Sequence, residues 1–241
     1  MMTSIHEILC TIVFKYLDFF DKHTFKRIVK SMNRIYITDL FDIERKHLDK
    51  LDDEVLLNYK FAVRLCASDN PKITNVNYMT KMKDLNAEGN CGISDDGICN
   101  VNLENLNASY NSKISSVNHM TNLKVLSARL WCGINDYGIG LINLEKLDAN
   151  SNRKISNVNH MTNLRELSAC FDCGIDDNGI KNINLEKLGA DYNRKITCVN
   201  HMSKLKVLKA CGDCGICDDG IENINLEKLE AYDNPKIKNE L

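Results

Sequence analysis

Cys170-Phe-Asp-Cys173 and Cys211-Gly-Asp-Cys214 are the groups of this chain with the plainest chemical potential. Two C-x-x-C pairs supply four soft sulfur ligands, the donor set of a structural zinc site. A more local candidate is the trio Cys211, Cys214 and Cys217. The histidines His119, His160 and His201 and the acids Asp95, Asp136, Asp177 and Asp218 are of types that move protons or hold cations.

What such groups can do depends on their placement, and here one beat governs it. Lys72-Ile73, Lys113-Ile114, Lys154-Ile155, Lys195-Ile196 and Lys236-Ile237 recur at a spacing of 41 residues. Cys91, Cys132, Cys173 and Cys214 keep the same spacing, each followed by Gly-Ile. A fixed period of this size implies stacked supersecondary units rather than one central core. Stacking separates the two C-x-x-C pairs by a whole intervening coil, roughly 10 Å in all. Zinc needs every thiolate about 2.3 Å away, and a disulfide needs Cα atoms within about 7 Å. The column cysteines therefore read as small buried residues. Cys170 and Cys211, one step past an inward alanine, are expected to face outward. A local site on Cys211, Cys214 and Cys217 stays open; otherwise no metal and no cofactor is expected.

The other columns read the same way. The acids stand one per period, too far apart to share an ion, and neither the EF-hand nor the glycine-rich calcium spacing occurs. Each is expected to cap a short helical turn, with Gly97, Gly138, Gly179 and Gly220 letting the chain turn tightly. The histidines share their column with Tyr78 and have no acid or nucleophile partner at a distinct position. Asn70, Asn111, Asn152, Asn193 and Asn234 are expected to lie buried between coils and satisfy backbone groups there. No P-loop, dinucleotide fingerprint, G-x-S-x-G or H-E-x-x-H occurs. An enzyme is not expected.

The period divides into coils of 20 and 21 residues. Their marker, L-x-x-L-x-A, runs from Leu103-Leu106-Ala108 to Leu226-Leu229-Ala231, with degenerate copies at Met82-Leu85-Ala87 and Ala62-Leu65-Ala67; nine coils result. Leu-x-Ala places both side chains on one face of a short strand. One coil type reads L-x-x-L-x-A-x-x-N-x-x-I-x-x-V-x-x-M, the other L-x-x-L-x-A-x-x-x-C-G-I-x-D-x-G-I. Both resemble leucine-rich repeats, and the second is similar to their cysteine-containing kind. That resemblance implies an α/β solenoid of about nine coils over residues 59–241, with a parallel sheet on the concave face and a protein target as ligand.

Residues 1–58 do not fit the beat. Ile5, Ile8, Leu9, Ile12, Val13, Tyr16 and Leu17 recur at helical spacing, as do Phe25, Ile28, Val29, Met32 and Ile35. A third, charged stretch runs from about Asp39 to Tyr59. Ile5-His-Glu-Ile-Leu9, Phe14-Lys-Tyr-Leu17 and Phe25 to Met32 resemble an F-box, although His6 stands where that family has proline. The resemblance implies a substrate-recruiting adaptor of an SCF-type ubiquitin ligase, with Ile5, Ile8, Leu9 and Leu17 holding the Skp adaptor. The alternative is a helical cap over the solenoid's first coil, which would otherwise expose its interior. The repeat identity and the Asn-, Ile- and Lys-rich composition also resemble leucine-rich proteins of giant DNA viruses, which implies a host cytoplasm.

Composition narrows the partners. A net charge of −2 without a basic stripe points to neither nucleic acid nor an acidic membrane. No signal peptide or membrane span is read at the N-terminus, and eleven cysteines without a signal imply reduced thiols and a cytoplasmic setting. The ninth coil carries no further marker after it, which leaves a face where a second copy could dock.

Positions fixed in every copy build the coil, so the varying ones are free for recognition. Trp131, the single tryptophan, stands where other copies have Asn90, Asp172 and Asp213. Phe171 stands where they have Gly89, Leu130 and Gly212. With Tyr110, Arg129 and Tyr192 they form the candidate patch for a protein target on the concave face, since large aromatics anchor interfaces.

Overall fold

The computed structural model describes residues 38–41 and 48–238. The F-box-like positions Ile5, Ile8, Leu9 and Leu17 lie outside them. Ten short strands form one open parallel sheet in strict chain order. They are β1 (Asp39–Leu40), β2 (Arg64–Cys66), β3 (Asp84–Asn86), β4 (Asn105–Asn107), β5 (Val125–Ser127), β6 (Lys146–Asp148), β7 (Glu166–Ser168), β8 (Lys187–Gly189), β9 (Val207–Lys209) and β10 (Lys228–Glu230). Pairing is in register, so Leu65, Leu85, Leu106 and Leu126 stand side by side and the row continues through Leu147, Leu167, Leu188 and Leu208. These leucines and the alanines two residues on are buried, which makes the core a continuous strip inside the coils.

The array is one strand longer than the nine coils expected. β1 pairs with β2 through Asp39–Arg64 and Leu40–Leu65, ahead of the boundary expected at residue 58. The sequence hides it because Leu40 and Leu65 are 25 residues apart and Asp42 stands where the marker has alanine.

The Cys-Gly-Ile coils return through a single helical turn, as at Asp95–Ile98, Asp136–Ile139 and Asp177–Ile180, while the Asn coils return through turns without a helix. The caps differ from those expected. Asn135 and Asp176, one residue before the column acid, accept from the amides of Gly138 and Gly179. The column acid instead clamps the next coil. Asp136 accepts from the Ser156 amide at 2.8 Å, the Ser156 hydroxyl at 2.6 Å and the Asn157 amide at 3.2 Å. The glycine two residues on serves close approach rather than turning: a Cβ on Gly138 would stand 2.0 Å from the Ser115 carbonyl oxygen.

The remaining columns join coil to coil. Asn152 is fully buried; its Nδ2 donates to the carbonyls of Ala128 at 2.8 Å and Ile134 at 3.2 Å, and its Oδ1 accepts from the Lys154 amide. Asn111, Asn193 and Asn234 repeat the pattern. The Lys154 ammonium donates to the Cys132 carbonyl at 3.2 Å, which explains why Lys-Ile keeps the beat. At the far end the burial loosens: Ile221, Ile224, Leu229 and Ala231 are only partly buried.

Candidate interaction surface

The chemical columns resolve as structure. Cys91, Cys132, Cys173 and Cys214 are buried. Desolvation pushes the first three thiols up to about 11 and raises Cys214 too, which keeps them protonated and poor as ligands or nucleophiles. Among the described residues no three His, Cys, Asp or Glu side chains stand close enough to share a metal ion, and the trio Cys211, Cys214 and Cys217 forms no such group. His119, His160 and His201 each place Nε2 3.0–3.1 Å from a carbonyl of the preceding coil, Ile98, Ile139 and Ile180. A carbonyl only accepts, so that nitrogen carries the proton and donates.

Cys170 follows expectation in part. It lies on the outward side beside Gly189 but is covered, at 7% exposure, and burial with Asp191 beside it pushes its thiol up to about 12. The neighbouring β8 makes room for it with glycine: a Cβ on Gly189 would lie 3.3 Å from the Cys170 sulfur.

The sheet face offers polar groups that largely satisfy one another. Glu166 stands 3.1 Å from both Lys146 and Lys187, and Arg129 Nε lies 3.5 Å from Asp148. Desolvation pushes the Glu166 carboxyl up, but hydrogen bonds from the two lysines hold it below its usual value. Desolvation raises Asp148, against the Asn150 amide and Arg129. Along the strand starts, Lys83, Glu104, Lys124, Glu145, Arg165, Glu186, Lys206 and Glu227 alternate in sign, a consequence of the two coil types. Lys83–Glu104 and Lys206–Glu227 pair at 2.7 Å. Exposed pairs of this kind contribute little to stability and leave no unbalanced field to attract a charged partner.

The apolar exceptions gather where each coil leaves the sheet. Two residues beyond the marker alanine the chain turns left-handed in every complete coil: Asp69, Gly89, Tyr110, Leu130, Ser151, Phe171, Tyr192, Gly212 and Asp233 all have φ between 53° and 71°. The turn extends the ladder past the strands, since the Phe171 amide donates to the Asp191 carbonyl at 2.7 Å and the Tyr192 amide to that of Cys211 at 3.0 Å. Glycine and aspartate suit this conformation; an aromatic residue there is strained by about 1–2 kcal/mol. Tyr110, Phe171 and Tyr192 nevertheless occupy it, 44%, 50% and 51% exposed.

Of the five candidate residues, the structure brings four together in two pairs. Tyr110 meets Trp131 edge-on with centroids 6.0 Å apart. Phe171 and Tyr192 stack, 5.5 Å apart and 4° from parallel. Trp131 is 76% exposed. Arg129 lies on the coil of Trp131 but turns to Asp148. Sequence reasoning missed a second exposed pair, Tyr137 and Leu141, on the helical side. The available signal was a broken column: Asp96, Asn178 and Asp219 match Tyr137, while Asn100, Asn182 and Asn223 match Leu141.

Among the described residues no helix is long and apolar enough to cross a membrane. No family model matches the chain, and no curated protein does. Among solved structures it is similar to the functional domain of InlJ from Listeria monocytogenes, described as including a cysteine ladder, at 19% identity and a TM-score of 0.46. The match covers 85% of this chain and 50% of that one, so the chain spans about half the length of its structural relative. The likeness is too distant to carry a role across.

Proposed function

We propose that the chain is a non-enzymatic scaffold that binds a protein target along the edge where its coils leave the sheet, with Tyr110, Trp131, Phe171 and Tyr192 as anchors and Arg129 beside them. One observation carries this reading. Tyr110, Phe171 and Tyr192 place rings at exposed, left-handed positions that other coils fill with aspartate, glycine, leucine or serine. Local strain held at exposed rings is a signature of recognition rather than of packing. Within the repeat it is also selective, because the ladders that hold the coils together are the same in copies with and without a ring.

The test is retention of proteins on the immobilised chain, comparing the native sequence with a Trp131→Ala, Phe171→Ala variant. A specific retained set that disappears with the variant, at nearly unchanged thermal stability, supports the reading. Unchanged retention, or a variant that loses stability and nothing else, defeats it.

Two finer readings extend this scaffold. The F-box-like pattern of Ile5, Ile8, Leu9 and Leu17 supports an adaptor of an SCF-type ubiquitin ligase, and the resemblance to giant-virus leucine-rich proteins supports a host cytoplasm; co-purification with the Skp adaptor separates the adaptor from a plain helical cap. Partial burial at Ile221, Ile224 and Leu229 supports self-association through the last described coil. Sedimentation that stays monomeric at all concentrations would rule that out.

A further inference from the structure

The left-handed edge carries one hollow twice, two periods apart, and the chain furnishes the two copies differently. The lining of the far hollow, about 470 Å³, includes Phe171, Asp172, Tyr192, Arg194, Lys195 and Asp213. That of the near hollow, about 490 Å³, includes Asp69, Glu88, Gly89, Tyr110, Ser112 and Lys113. Tyr110, Ser112 and Lys113 stand two periods before Tyr192, Arg194 and Lys195, and Gly89 stands two periods before Phe171.

The far hollow is filled from within. Phe171 stacks on Tyr192, 5.5 Å apart and 4° from parallel, and Arg194 pairs with Asp213. Asp172 is paired with Arg153. The near hollow lacks both of these occupants. Gly89 holds the column of Phe171 and brings no ring to Tyr110, while Ser112 holds the column of Arg194. The column of Asp213 holds Trp131, which meets Tyr110 edge-on.

Acids enter instead. Gly89 makes room for the Asp69 carboxylate: a Cβ there would stand 2.1 Å from Asp69 Oδ1. That oxygen accepts from the Asn90 amide at 3.0 Å, and Glu88 Oε2 accepts from Asn107 Nδ2 at 2.9 Å. Such bonds hold both carboxylates in place and neutralise neither. Among the described residues neither carboxylate has an ion-pair partner. Lys113, the cation of this lining, donates to the Cys91 carbonyl at 2.9 Å. Two negative charges therefore face one positive, where the far lining holds two of each.

Resting on the scaffold reading above, we propose that the near hollow takes an arginine side chain of the protein target. A guanidinium is planar, so it lies on a tyrosine ring while its fork of N–H groups donates to carboxylates. It would supply at Tyr110 the flat group and the positive charge that Phe171 and Arg194 supply at Tyr192. A target carboxylate would meet two groups of its own sign, and a neutral ring would desolvate both acids without compensation. Lysine carries the charge but no plane to lay on the ring.

The experiment is selection of random peptides displayed on phage against the immobilised full chain. A selected peptide and its analogues are then titrated by Trp131 fluorescence. One arginine position should be held throughout the selected set. Replacing it by citrulline, the neutral isostere, should weaken binding about tenfold or more, the scale of one charge-assisted hydrogen bond. Lysine should restore only part of the loss. Asp69→Asn with Glu88→Gln should cause a loss similar to that of citrulline; each amide keeps an oxygen for Asn90 or Asn107, so the thermal midpoint should hold. If that variant is destabilised, the citrulline analogue on the native chain still decides. Peptides that lose binding with Trp131→Ala, Phe171→Ala but hold no arginine, or that bind equally well as citrulline analogues, overturn the arginine site and leave the scaffold reading intact. Equal binding of lysine overturns the stacked guanidinium. A selection that yields no specific peptide overturns both readings.

Discussion

The ring of Tyr192 rests on Gly212, so closely that a Cβ there would stand 2.2 Å from the ring's Cε1. Gly212 also has φ of +64°, a conformation other residues adopt only under strain. Gly212→Ala should therefore lose about 1–2 kcal/mol through backbone strain and unseat the Tyr192 ring. Denaturant unfolding reads the first effect and near-ultraviolet circular dichroism the second. An unchanged aromatic signal would mean that Gly212 does not position the stack.

The asparagine ladder is the strongest predicted determinant of stability. Asn152 satisfies two buried carbonyls and one amide across coils. Removing it leaves these groups without partners in a site water does not reach, at about 1–3 kcal/mol for each orphaned group. Asn152→Ala should destabilise by about 3 kcal/mol or more by chemical denaturation. A loss below about 1 kcal/mol would contradict the structural role.

Phe171→Asn separates strain from packing. Losing a half-exposed stacked ring is worth about 0.5–1.5 kcal/mol, while asparagine relieves left-handed strain of about 1 kcal/mol. The two nearly cancel, so the unfolding free energy should move by about 1 kcal/mol or less while target retention falls sharply. A larger stability loss would assign Phe171 to packing.

The thiols supply a pH prediction. Burial raises Cys91, Cys132 and Cys173 from 9.0 to about 11. A group raised by folding contributes stability that is full below its unfolded value and is lost as pH climbs through the folded one. The thermal midpoint should thus fall as pH passes from about 9 to about 11. Under native conditions near pH 8, exposed Cys99 and Cys198 should react with a disulfide reagent before the column thiols. Rapid reaction of Cys132 without denaturant would refute its burial.

The solenoid and its buried columns were legible because each coil must present the same inner leucine, alanine and asparagine to its neighbours. β1 was not, since a single buried Leu40 at irregular spacing carries no periodic signal. The left-handed column was also hidden. It is a property of the backbone, and its side chains range from Gly89 to Phe171; only Asp69, Gly89, Gly212 and Asp233 hinted at it. The burial of Cys170 was hidden for the same reason. Strand alternation sends it outward, and there the turn at Phe171 directly after it and the space left by Gly189 let its sulfur be covered. Trp131 and Phe171 stood out as breaks in the pattern, yet their separation into two pairs around Ser151 depends on ring orientation that no sequence column encodes.

The most direct measurement of the central claim is side-chain footprinting by hydroxyl radicals, with and without the retained target. Tyr110, Trp131, Phe171 and Tyr192 should become protected, while Tyr137 and Leu141, more open still on the helical side, should keep their reactivity. Protection of Tyr137 and Leu141 with no change at Trp131 and Phe171 would contradict the account.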